Sequence, residues 1–158
     1  MRFLTAFVST STLVLFTAPG ARAQETPDLS GTWTFDSASV PTGGRGGLNP
    51  PRQLTLTQDA DTFSLSWAED GGATTMTYNL DGSESRNEDG VSRANWQDDR
   101  LVIVTVQSFG GREMEQRRVL WMDGDDLVLE VPGSVPLQGG GAPAVVRLVF
   151  TKSPPHEG

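Results

Sequence analysis

Thr62-Phe63-Ser64-Leu65-Ser66-Trp67, the turn Glu69-Asp70-Gly71-Gly72 and Ala73-Thr74-Thr75-Met76-Thr77-Tyr78-Asn79-Leu80 decide the fold class. In the first run Phe63, Leu65 and Trp67 fall in phase. In the second, Met76, Tyr78 and Leu80 do. Side chains of a strand alternate between its two faces, so apolar residues at every second position mark strands with one face buried. Asp81-Gly82 follows directly and is a strong two-residue hairpin signal.

The same period extends in both directions. Upstream, Trp33 and Phe35 share a face of Gly31–Asp36, and Leu54 and Leu56 share a face of Arg52–Gln58. Downstream come the polar run Ser83–Asn87, then Val91–Gln97, Arg100–Phe109, Arg112–Met122, Asp126–Val131 and Ala144–Lys152. Turn signals rich in Asp and Gly separate them, and no segment shows a 3.6-residue period. The expectation is all-β: a single up-and-down antiparallel barrel of eight to ten strands. Ten is the count with Ser83–Asn87 included, and an even number allows the closing pair to be antiparallel. Closure also removes sheet edges that would otherwise recruit other chains.

Two long connections break the rhythm, Ala38–Pro51 with Gly43-Gly44-Arg45-Gly46-Gly47 and Pro132–Pro143 with Gly139-Gly140-Gly141. With ten strands both lie at the same end of the barrel, as rims of one mouth. Gly43–Gly47 is no phosphate loop, since no Gly-Lys-Ser/Thr ending or helix follows.

Residues 1–23 read as a secretory signal: Arg2, an apolar stretch from Phe3 to Phe16, Pro19-Gly20, then the small-x-small cleavage site Ala21-Arg22-Ala23. The stretch is too short and too polar for a stable membrane span. The expected mature chain, 24–158, is one barrel domain with a flexible tail at 153–158, located in the periplasm or secreted, with no membrane anchor once the signal is cleaved. At 135 residues it buries roughly two-thirds of its unfolded surface.

Composition excludes several chemistries. The absence of Cys rules out disulfides and thiolate chemistry, and the single His, His156, lies in a Pro/Gly tail where a triad is improbable. The net charge is −8, and it becomes −10 once Arg2 and Arg22 are removed with the signal. An acidic chain is a poor partner for nucleic acid. The carboxylates cluster in turns such as Asp98-Asp99 and Asp123-Gly124-Asp125-Asp126, where turn chemistry accounts for them without calcium. No metal or cofactor is expected.

Asp28-Leu29-Ser30-Gly31-Thr32-Trp33 resembles the opening strand of the calycins, the lipocalin and fatty-acid-binding barrels, whose Gly-x-Trp closes the barrel floor. More closely, the chain resembles small exported bacterial lipocalin-like proteins. Leu54–Gln58, Tyr78–Gly82 and Trp96–Leu101 match their second strand, their Tyr-x-Leu-Asp-Gly hairpin and their Trp-Asp-like turn. The last-strand Arg-x-Tyr of the fatty-acid-binding type does not carry over: Arg147 is out of phase and Phe150 stands for the Tyr. The resemblance implies that a last-strand cation, Arg147, can pack on Trp33.

The candidate ligand-binding residues are Trp67, Tyr78, Arg93, Trp96, Arg117 and Trp121. Aromatic rings suit the wall of a barrel cavity. An inward Arg would hold an anion, and Arg117 is the first choice because it shares a face with Val119 and Trp121. The expected function is binding of a small hydrophobic or amphipathic molecule inside the barrel. One alternative is a cofactor-free isomerase, cyclase or hydrolase, which needs an interior carboxylate or phenol; Glu115, Tyr78 and the strand Arg residues are the pool. The other is an interaction module with a solid core and aromatics exposed at its loops. No catalytic motif is present.

Overall fold

The computed structural model describes residues 26–39, 49–69, 72–133 and 145–154. The expected signal segment, both glycine-rich loop centres and His156 lie outside these residues. Ten antiparallel strands are present: β1 (Gly31–Ala38), β2 (Gln53–Gln58), β3 (Thr62–Glu69), β4 (Gly72–Asn79), β5 (Asp81–Asn87), β6 (Gly90–Gln97), β7 (Arg100–Phe109), β8 (Arg112–Asp123), β9 (Asp126–Pro132) and β10 (Val145–Lys152). No helix occurs among the described residues. The polar run Ser83–Asn87 is a strand, which makes the count ten.

Successive strands pair except β4 and β5, and β1 also pairs with β10, so the sheet order is β4-β3-β2-β1-β10-β9-β8-β7-β6-β5. The barrel is nearly closed. Its seam runs between β4 and β5, which are consecutive in sequence yet share no backbone ladder. The Asp81-Gly82 hairpin expectation is corrected here. Gly82 has φ 80 and the β5–β6 register slips between Asp81 and Glu84, so the bulge turns β5 onto β6 rather than back onto β4.

Side chains close the seam instead. Asn87 presents its amide to Thr77 as a backbone would: Oδ1 accepts from the Thr77 N–H at 3.0 Å and Nδ2 donates to the Thr77 carbonyl at 3.0 Å. Ser85 Oγ accepts from the Asn79 N–H at 2.8 Å. These bonds satisfy edge groups that would otherwise be open to other chains.

Antiparallel alternation fixes the two ends. The turns before β3, β5, β7 and β9 form one end, the floor. There Leu29, Trp33, Phe63, Tyr78, Leu101, Leu127 and Phe150 are at most 1% exposed, so the floor is packed solid. Trp33 donates from Nε1 to the Leu29 carbonyl at 3.0 Å. The cation over Trp33 is Lys152, its register partner, at 5.4 Å. Arg147 sits elsewhere, 5.8 Å from the ring of Trp121 and ion-paired to Glu130. The roots of both long loops lie at the opposite end, where the Ser39 N–H donates to the Arg147 carbonyl at 2.9 Å.

Candidate functional site

On β5 to β8 the inward positions turn polar away from the floor. Ser85, Ser92, Thr105 and Gln116 occupy one register line across the four strands. Ser85, Ser92 and Thr105 are buried, and the hydroxyls of Ser92 and Thr105 share a hydrogen bond of 2.8 Å. Across the interior, β1, β2, β3, β9 and β10 present Phe35, Leu54, Trp67, Leu129, Val131 and Val146 to the core. The inner wall is thus apolar on one side and polar on the other.

One charged pair belongs to the polar side. Arg118 lies on the register line of Ala94 and Ile103, both fully buried inside the barrel. Its Nη2 meets Asp89 Oδ2 at 3.0 Å, and the two side chains are 18% and 10% exposed. Asp89 comes from the tight β5–β6 turn, which Gly90 allows: φ is 133 there, and a Cβ would run into the Val106 carbonyl oxygen. Arg118 Nη1 donates to the Tyr78 hydroxyl at 3.3 Å and lies 3.7 Å from Met76 Sδ. The Tyr78 hydroxyl in turn donates to Met76 Sδ at 3.1 Å. The chain of contacts links the turn at the loop-bearing end to Tyr78 near the floor.

Burial pushes the Tyr78 phenol up to about 12, and the charge of Asp89 adds to this against the opposing pull of Arg118. The hydroxyl therefore stays protonated and acts as a donor. Asp89 Oδ1 is buried without a hydrogen-bond partner among the described residues. Such an orphan acceptor is uncommon, because leaving it unsatisfied carries a desolvation cost.

Three of the six sequence candidates face inward: Tyr78 is buried, and Trp67 and Trp96 are half-buried against the core. Trp67 belongs to the loop-bearing end and Trp96 to the floor, where it pairs with Leu101. Three face outward. Arg93 is exposed and ion-paired to Glu84 at 2.8 Å. Arg117 is exposed. Trp121 is buried on the outer face, with Val102, Val119 and Val128 beside it and Arg100 4.5 Å from its ring. The inward expectation for Arg117 is corrected to Arg118. Val119 and Trp121 form an outer apolar patch, so sharing their face places Arg117 outside. Glu115 is exposed too and lines an outer groove of about 640 Å³ with Arg86 and Arg93. A second groove of about 890 Å³ lies at the loop-bearing rim, lined by Pro50, Pro51, Arg52 and Trp67 among others. No three His, Asp or Glu side chains converge as a metal site among the described residues.

Asp89 and Arg118 were not singled out from the sequence. Phasing β8 on Leu120 and Met122 would have turned Arg118 inward. Asp89 carries no local signal beyond an ordinary turn.

No known sequence family matches the chain, and no curated protein does either. Solved structures do match. A structure titled REP1-NXSQ fatty acid transporter aligns at TM-score 0.55 and 12% identity, covering 80% of this chain and 96% of that one. A tyrosine-to-phenylalanine mutant of the same transporter aligns at TM-score 0.53 and 13% identity, covering 79% and 98%. The likeness is one of fold. It matches a ten-stranded barrel to a barrel over nearly the whole length of the neighbour, and at this identity it says nothing about individual residues.

Proposed function

We propose that this protein is an exported barrel that binds a small amphipathic molecule through the end bearing its two long loops. The observation that carries this is the two-sided inner wall: Phe35, Trp67 and Val131 opposite Arg118, Asp89 and Gln116. A buried ion pair costs desolvation that apolar side chains would avoid, so its presence fits a polar site better than a core built for stability alone. The apolar body of a ligand fits the first side and its polar head the second. The fatty acid transporter neighbours support a barrel of a type that carries apolar cargo, by analogy of fold only.

Fluorescence titration tests the proposal. Trp67 and Trp96 are inward and half-buried, so a panel of hydrophobic ligands is expected to quench or shift their emission saturably. An unchanged spectrum across the panel would count against binding. The interior does hold a carboxylate and a phenol, but Asp89 is tied up in its ion pair with Arg118 at 3.0 Å and the buried Tyr78 phenol stays protonated. Binding is therefore favoured over catalysis.

A further inference from the structure

We infer that the barrel selects a ligand with a neutral head that donates a hydrogen bond, an alcohol or primary amide, over a carboxylate. The inference rests on the binding reading above. Arg118 is the inward guanidinium among the described residues, but its charge is already matched by Asp89 at 3.0 Å. A carboxylate approaching it also approaches Asp89 and is repelled. An ammonium head meets the converse problem at Arg118. A hydroxyl meets neither, and it brings the donor that Asp89 Oδ1 lacks.

Arg118 and Asp89 keep 18% and 10% of their side-chain surface exposed, while Asp89 Oδ1 itself is covered, so the contact requires the carboxylate to turn. An aspartate turns easily about its Cβ–Cγ bond, because that torsion is broad and two-fold. A small turn offers the free oxygen to a head at this edge while the other oxygen keeps Arg118. A hydrogen bond to a charged acceptor supports a preference of about tenfold or more.

Titration with octanol, octanoate and octylamine tests this, read by tryptophan fluorescence or calorimetry on the full mature chain. Octanol is expected to bind about tenfold more tightly than either charged analogue. In Asp89→Asn the guanidinium loses its counter-charge, and octanoate becomes the preferred probe. Arg117→Gln, on the outer face, leaves the ranking unchanged. If octanoate or octylamine binds wild type at least as well as octanol, the neutral-head selectivity is wrong and the binding barrel stands. If none of the three binds, both readings fall. Should Asp89→Asn not fold, as a thermal melt would show, the wild-type ranking alone decides.

Discussion

At the scale of single residues, Arg118 has a large consequence for stability. Removing it as Arg118→Met leaves Asp89 nearly buried without a counter-charge, and the expected loss is about 3 kcal/mol by urea denaturation. Tyr78→Phe is milder. It removes one donor and one acceptor while Arg118 keeps Asp89, for about 1 kcal/mol. Tyr78 is the sole tyrosine of the chain, so phenolate absorbance reads it alone. Its folded pKa is raised above the ordinary 10 to about 12. The associated stability is thus fully present below 10 and is lost as pH climbs towards 12. Phenolate is expected to appear only there, together with unfolding; titration near 10 with the fold intact would contradict the burial of the ring. None of this was legible from Arg118 itself, which adjoins an equally charged Arg117. The choice between them turns on phase, and in β7 to β9 phase is hidden because both faces are apolar: Leu101, Ile103, Leu120 and Leu127 inside, Val102, Val119, Trp121 and Val128 outside.

At the scale of elements, alternation was a good guide wherever one face met solvent. Gln53–Gln58 alternates exposed and buried along most of its length, and its apolar phase is visible by eye. It was a poor guide to pairing. Asp81-Gly82 carries every mark of a hairpin, yet β4 and β5 part at the seam, each keeping a ladder only with its other neighbour in sequence, β3 and β6. The seam gives its own prediction. Asn87→Ala removes both amide bonds to Thr77, so the Thr77 N–H is expected to exchange with solvent faster while exchange along β7–β8 is unchanged. Amide exchange by NMR checks this, and unchanged protection at Thr77 would mean that the seam is held otherwise. Gly90 is a second fixed point. Gly90→Ala forces a Cβ into the Val106 carbonyl at a positive φ, for an expected loss above about 2 kcal/mol, measured by thermal unfolding.

At the scale of the whole molecule, the two ends differ in chemistry. Three aspartates at the floor accept bonds from the backbone of their own turns: Asp28 from Ser30, Asp59 from Asp61 and Thr62, and Asp81 from Ser83. These bonds, side-chain and backbone, hold each carboxyl below the ordinary 3.8. A lowered carboxyl pKa gives stability that is present above 3.8 and lost as pH falls through the lower folded value. On acidification the floor turns are therefore expected to loosen before the β6–β8 strands, with amide exchange at Ser30, Thr62 and Ser83 as the measure. Uniform loosening would refute this. The barrel, its strand count and the shared end of the long loops followed from alternation and parity. The two-sided inner wall did not, since it depends on which strands face each other across the lumen.

The pairing of β1 with β10 also orders events during synthesis. Thr34 and Ser153, joined by a 2.6 Å hydroxyl contact, are 119 positions apart in the chain. Until the final strand has left the ribosome, β1 has only β2 beside it, and the edge carrying Trp33 and Phe35 stays open. Closing so long a loop is slow relative to forming the local hairpins. Until β10 is made, the sheet therefore stays unsealed between β1 and β9.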